Sequence, residues 1–397
     1  MKKIKKIGYS LNEIGIVQSE ISYQNHRGDV NPYIEICKRE VLPIFVAPMA
    51  SVTDENNYQT WIDNKLTPVV PRSVMQRLNI DERLKLAYNT FVSFSLQETI
   101  QLYEEGKFKG GYVNKPLYIC VDIAHGTLES LYDICKKIKE EYGDKVIIMT
   151  GNIANAKAYK KYCECGIDYV RVCIGSGSRC TTACATGIFT PMATLLDDIA
   201  MEKSNLVAYN KLSEQRNMPT IKLTKIIADG GISWYSDIQK CLVLGADAVM
   251  IGRLFAECEE ACGEYHWAFS ELGANTNNWL TTEERDGWVD KFDEDRKMYY
   301  KSFSSFPYNE NPYNLKPYRL YSGMSHRSSQ KITGGDGNKV SEGICKHVEI
   351  KYPLNHFLTN VVAYLRSCMT YINASCIEDM QKAEVVVIND AGDAIRK

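Results

Sequence analysis

Eight short apolar, β-branched runs recur along this chain of 397 residues, and each leads toward a helix-like segment. The runs are VLPIFVAPM (41–49), TPVVPR (67–72), TFVSFSL (90–96), PLYICVDIA (116–124), KVIIMTGN (145–152), YVRVCIG (169–175), KIIADGG (225–231) and ADAVMIGRLFA (246–256). The helix of the eighth unit is delayed to FLTNVVAYLRSCMTYI (357–372). Strands followed by helices imply a parallel sheet with right-handed crossovers. Continuously apolar strands are covered on both faces. Eight such units close most simply into a (β/α)8 barrel. The alternative is an open doubly wound sheet, but no GxGxxG follows the first strand. The expectation is therefore one barrel domain over 1–397.

Two stretches break the rhythm, at about 201–219 and from 257 toward 354. They are read as insertions after strands six and eight, the second over about 257–320, followed by a flap-like segment at about 321–343. A barrel places its active site at the C-terminal ends of its strands. Function is expected in the flap-like segment and solvent-exposed decoration in most of the rest.

The chemistry centres on Gly175-Ser176-Gly177-Ser178-Arg179-Cys180-Thr181-Thr182, directly after strand six. Glycines permit a tight turn, and a thiolate on such a loop is a strong nucleophile. In a chain with 14 cysteines any one of them is most often structural. Cys180 is singled out by its Gly/Ser/Thr loop at a strand's end. After the seventh run comes Asp229-Gly230-Gly231, and after the eighth Gly252-Arg253. Loops at these two positions commonly bind phosphate through backbone N–H groups. Asp229 would then hold ribose hydroxyls. Read alone, each is an ordinary β–α turn.

Composition narrows the class. A formal charge of -2 and a pI near 6.4 argue against nucleic acid as the main partner. No apolar run approaches the ~18 residues of a membrane span. MKKIKKIGYS is basic with no apolar stretch behind it, unlike a signal peptide. A cytoplasmic protein without disulfides is expected. Cys163 and Cys165 stand two apart with no second pair, a poor zinc pattern.

Taken together, GSGSRCTT, IIADGGI, GADAVMIGRLFA, YSGMS and YLRSCMTYINA resemble the GMP reductase / IMP dehydrogenase family, with APMASVT and YICVDIAHG similar to its earlier motifs. The similarity runs from about Val41 to Cys376. The resemblance implies a homotetrameric barrel that binds a purine nucleoside monophosphate and a nicotinamide cofactor. It also implies a covalent bond from the loop cysteine to purine C2. Residue by residue, Cys180 matches the nucleophile and Thr182 the catalytic threonine. The carbonyls of Gly175, Gly177 and Cys180 match a site for a monovalent cation such as potassium. Asp229, Gly231, Gly252 and Tyr321 match ribose and phosphate contacts, with Ser178 and Arg253 as further candidates for substrate binding. Met324 and Ser325 match the stretch near the base, and Asp122 and Gly126 the nicotinamide side.

Within the family, the resemblance is closer to GMP reductase. Sixteen residues separate Ser325 from Glu342, and they include KITGG, similar to the reductase segment. The Arg-Tyr pair of the longer dehydrogenase flap is not found there. The implied reaction is NADPH-dependent reductive deamination of GMP to IMP. The alternatives are oxidation of IMP with NAD, and a catalytically silent nucleotide-binding protein. Three positions depart from the family pattern. Ala50 stands for an aspartate, Arg253 follows Gly252, and His326-Arg327 follow the GMS motif where reductases carry a glutamate. Imidazole suits proton transfer near neutral pH, so His326 is the candidate replacement for that acid.

Overall fold

The eight apolar runs form eight parallel strands that close on themselves. They are β1 (Ile44–Val46), β2 (Thr67–Val70), β3 (Phe91–Phe94), β4 (Leu117–Asp122), β5 (Val146–Ile153), β6 (Tyr169–Val172), β7 (Lys225–Asp229) and β8 (Ala248–Ile251). A computed structural model describes residues 7–109, 115–177, 181–263, 265–269, 315–322 and 345–388. The strands pair in chain order, and β8 returns to β1 through Val249↔Ile44, Met250↔Phe45 and Ile251↔Val46. The helices packed around them are α1 (Tyr58–Asp63), α2 (Ile80–Leu86), α3 (Leu96–Glu104), α4 (Glu129–Tyr142), α5 (Ala158–Glu164), α6 (Met192–Gln215), α7 (Tyr235–Val243) and α8 (Leu354–Tyr371), beside shorter helical turns. The eighth helix is the delayed one expected from the sequence. This is the (β/α)8 barrel.

Strand residues alternate between two environments, as the period of two requires. Ile44, Val46, Val92, Ile148, Val170, Ile226 and Val249 belong to the core shared with the helices. Phe45, Val69, Phe91, Tyr118, Cys120, Met149, Tyr169, Ile227, Ala248 and Met250 form a separate inner core. Its base is an aromatic cluster, with Phe45–Phe91, Phe45–Tyr169 and Phe91–Tyr169 ring centroids 5.8, 5.8 and 5.5 Å apart. A hairpin of Ile34–Ile36 and Arg39–Val41 adds Ile36 and Val41 to this core. Helix starts follow local chemistry. At α3, Ser95 accepts from the Glu98 N–H while Glu98 accepts from the Ser95 N–H, a capping box.

The span expected as an insertion at about 201–219 is occupied over 201–215 by the continuation of α6, a single helix of 24 residues. The later span holds an antiparallel sheet of Tyr265–Phe269, Leu315–Ser322 and Cys345–Glu349. The sheet is tied to the end of the eighth unit by Arg319, which is fully buried. Its guanidinium donates to the carbonyls of Ala256, Cys258 and Glu259 at 2.8, 2.8 and 3.2 Å. Most of the flap-like segment, residues 323–343, lies outside the described residues. Among the described residues, no helix is long and apolar enough to cross a membrane. Thirteen cysteines among them are free thiols.

Candidate active site

The alternation that fills the inner core also places charge at its upper end. Two residues beyond Tyr169, Cys120 and Ile227 stand Arg171, Asp122 and Asp229, on the same inward face at the C-terminal side of the barrel. They meet there. Arg171 Nη1 donates to Asp122 Oδ1 at 2.7 Å, and its Nε donates to Asp229 Oδ2 at 2.9 Å. Nη2 lies 2.9 Å from the same Asp229 oxygen. Asn152 Nδ2 donates to Asp229 Oδ2 at 2.7 Å and to the Cys173 carbonyl at 2.9 Å. Arg72 approaches Asp122 Oδ2 at 3.3 Å as a charge contact without hydrogen-bond alignment. Burial opposes ionisation of Asp122, but the Arg171 and Arg72 guanidiniums outweigh it and hold its carboxyl below the usual value. Burial likewise opposes charge on Arg171, and Asp229 and Asp122 outweigh it and keep it charged.

The turn after β7 lies against the loop after β6. Gly230 and Gly231 adopt φ of +90° and +75°, a region that favours glycine. A Cβ on Gly230 would stand 3.0 Å from Ser176 Oγ, and one on Gly231 would stand 3.2 Å from Ser176 Cβ. Gly175, at φ +83°, packs on Ala183, where a Cβ would come within 2.5 Å. The described parts of the loop after β6 are thereby seated on the turn that carries Asp229. Thr182 opens a short helix, Thr182–Thr186, and is half-buried. Ser178, Cys180, Met324, Ser325 and His326 lie outside the described residues.

Beside this turn, Gly252 precedes another short helix, Arg253–Ala256. A Cβ on Gly252 would stand 2.7 Å from both Met49 Sδ and the Tyr321 hydroxyl. That hydroxyl lies 3.1 Å from Met49 Sδ. Gly252 and Tyr321 are therefore together. Arg253 is exposed and pairs with Glu257 at 3.4 Å. Gly126 is buried, with its N–H on the Asn152 carbonyl at 3.0 Å and its own carbonyl receiving Tyr162 Oη at 2.6 Å. It anchors the loop after β4 against the end of β5.

On the far side of Asp122 a cavity of about 560 Å3 is lined by Arg72, Ser95, Gln97, Asp122 and Ser130, among others. That size suits a small-molecule or cofactor site. A larger cavity of about 760 Å3 opens outside the barrel between α7 and α8, lined by Trp234, Tyr364 and Tyr371 among others. It contains none of the strand-end residues. Cys120 and Cys173, the described thiols next to the network, are pushed up to about 11 by burial. Neither is a thiolate at neutral pH.

Residues 116–273 match the family model described as the IMP dehydrogenase / GMP reductase domain. They carry a domain of that family. The IMP dehydrogenase / GMP reductase family is one of purine nucleotide oxidoreductases, and its domain here covers β4 to β8 and the residues just described. Proteins named inosine-5'-monophosphate dehydrogenase are similar over a longer stretch. That of Chlorobaculum parvum is 30% identical over 275 residues, covering 69% of this chain and 46% of the relative. That of Cryptosporidium parvum is 32% identical over 275 residues, covering 69% and 55%. That of Aquifex aeolicus is 31% identical over 277 residues, covering 69% and 45%. The chain thus spans about half the length of these relatives.

Sequence reasoning did not single out four residues of this mouth: Arg171, Asn152, Arg72 and Met49. One signal was present. Arg171 is the lone charge inside the apolar run YVRVCIG, and a strand covered on both faces admits an arginine only if carboxylates meet it. Asn152, Arg72 and Met49 gave no comparable signal, because each ends a run where polar or irregular residues are ordinary.

Proposed function

We propose that this chain is an oxidoreductase acting at C2 of a purine nucleoside 5′-monophosphate, with Cys180 as its nucleophile. The observation that carries the reading is the convergence at the barrel mouth. Asp229 and Gly231 sit against the loop that leads to Cys180, and Gly252 and Tyr321 sit on the neighbouring strand end. Asp229 Oδ2 is committed to Arg171 and Asn152. Oδ1 is the oxygen left to accept from ribose hydroxyls. The backbone N–H groups of the turns after β7 and β8 would receive the phosphate. The cavity beside Asp122 suits a nicotinamide cofactor, with Asp122, Ser95, Gln97 and Ser130 as polar partners. When bound there, the cofactor supplies hydride exchange with C2.

The names of the relatives support oxidation of IMP with NAD as the direction. Cys180 Sγ adds to C2, C2 gives up hydride, and water then displaces the thiol to release XMP. The second reading, reduction of GMP with NADPH, is supported by the short segment between Ser325 and Glu342 with its KITGG. There Cys180 displaces ammonia from C2, C2 gains hydride, and the thiol leaves to give IMP. In either case Thr182 and His326 are the candidates for moving the proton. A monovalent cation such as potassium on the carbonyls of Gly175, Gly177 and Cys180, and a homotetramer, accompany the family reading.

The deciding experiment incubates the protein with IMP, GMP, inosine or guanosine and with NAD, NADH, NADP or NADPH, followed by mass analysis of products. XMP from IMP and NAD is the expected result, and IMP from GMP and NADPH supports the second reading. Equal catalytic efficiency on nucleoside and monophosphate would remove the phosphate cup. Binding of nucleotide without turnover of any pair would identify a silent nucleotide-binding protein.

A further inference from the structure

We propose that Arg171 is a positioning residue that couples the two halves of the mouth, so that a purine nucleotide seated against Asp229 tightens binding in the cavity beside Asp122. This rests on the reading of the mouth as a nucleotide site next to a cofactor site.

The four charges form an alternating chain, Arg72–Asp122–Arg171–Asp229, contributed by the ends of β2, β4, β6 and β7. Its two ends lie in different compartments. Arg72 and Asp122 line the cavity of about 560 Å3, while Asp229 faces the turn packed on Ser176. Arg171 connects them by crossing β5, the strand between β4 and β6. The crossing point is Gly151, the register partner of Arg171. A Cβ there would stand 2.9 Å from Arg171 Cβ and 2.5 Å from its carbonyl oxygen. The strand therefore has no side chain at the one place where the arginine passes over it.

The guanidinium is planar and its donors are fixed relative to one another. Nε and Nη2 meet Asp229 while Nη1 meets Asp122. Anything that fixes the Asp229 carboxylate also fixes the orientation in which Nη1 meets Asp122. A ribose hydroxyl donating to Asp229 Oδ1 would do this. Asp122 would then present Oδ2 to the cavity in one orientation, with only the loose Arg72 contact to displace. The first ligand bears the cost of ordering the chain, and the second binds a mouth already ordered. Arg171 is 8% exposed, so solvent screens little of the interaction.

Titration calorimetry in a Cys180→Ala background, where neither reaction proceeds, tests the coupling. NAD affinity is measured with and without saturating IMP. The parent is expected to bind NAD about tenfold more tightly with IMP present, within the usual range of coupling. Arg171→Lys keeps the charge, but a compact ammonium cannot serve both carboxylates in the guanidinium's geometry. It is expected to lose most of the enhancement. Truncating a buried ion pair can unfold a protein, so Asp122→Asn, close to isosteric, serves as the second variant. It should lose the enhancement, read as the ratio of its NAD affinities with and without IMP. Coupling that runs only through direct contact between the two ligands would survive both substitutions. Parent-like enhancement in either folded variant overturns the proposal and leaves the proposed function standing. Failure of the parent to bind either IMP or GMP overturns both.

Discussion

Gly151 on β5 and Arg171 on β6 are register partners, and a Cβ on Gly151 would stand 2.5 Å from the Arg171 carbonyl oxygen. Gly151 also holds φ +133°, where an L side chain is strained. Gly151→Ala should therefore destabilise the protein by about 1–3 kcal/mol from overpacking alone. The urea midpoint should fall. An unchanged midpoint would mean that β5 can shift away from Arg171 without cost.

Cys180→Ala should abolish turnover and leave nucleotide affinity largely intact. The phosphate and ribose contacts proposed for Asp229, Gly231, Gly252 and Tyr321 do not involve the thiol. Calorimetry with IMP beside a steady-state assay checks both halves. Near-parent activity would eliminate covalent catalysis.

The proton-transfer roles separate in single-turnover kinetics. If His326 replaces the family's acid, His326→Ala should slow the chemical step by ~10²–10⁴-fold, the usual value of a general acid–base. The pH profile should lose a histidine-like ionisation. Thr182→Ala is the comparison, because Thr182 with a water is the rival. An unchanged chemical step and pH profile in His326→Ala would rule the histidine out.

The sheet of Tyr265–Phe269, Leu315–Ser322 and Cys345–Glu349 should respond to acid through His347. Its Nε2 lies 2.6 Å from Nδ1 of His266, and burial, then the neighbouring His266, pushes it down to about 4. A base depressed below its ordinary value of 6.5 protonates more readily in the unfolded chain. Its contribution to stability is complete above about pH 6.5 and is lost as pH falls toward about 4. Hydrogen exchange of the strand Cys345–Glu349 should quicken over that window. His347→Gln should flatten the response. A response of the same steepness in the variant would place the acid sensitivity elsewhere.

Much of the barrel was legible because its cause is local. Runs such as YICV and IIA are apolar without interruption, and only a strand buried on both faces tolerates that. The glycines at 230 and 231 were also legible, since Asp-Gly-Gly after an apolar strand marks a turn. The boundary near 201 was less legible. The polar residues from Met201 onward read as an insertion, yet they continue α6, because one buried stripe with Leu206 and Ser213 suffices to hold a helix whose other faces meet water. Gly126, matched by its motif to the nicotinamide side, has its backbone N–H and carbonyl bonded to Asn152 and Tyr162, partners that no local pattern announced.

By itself the sequence determined which residues share a face along each strand, so that Asp122 goes with Cys120, Arg171 with Tyr169 and Asp229 with Ile227. Side-chain period is a property of the single strand and needs no partner. Tertiary structure decided which of these charges meet. The relative heights of β4, β6 and β7 depend on the register of every strand pair around the closed barrel. That register lets one guanidinium cross Gly151 and hold two carboxylates drawn from residues 107 positions apart in the chain, Asp122 and Asp229. No local pattern encodes such a meeting, because it is set by closure of the whole sheet.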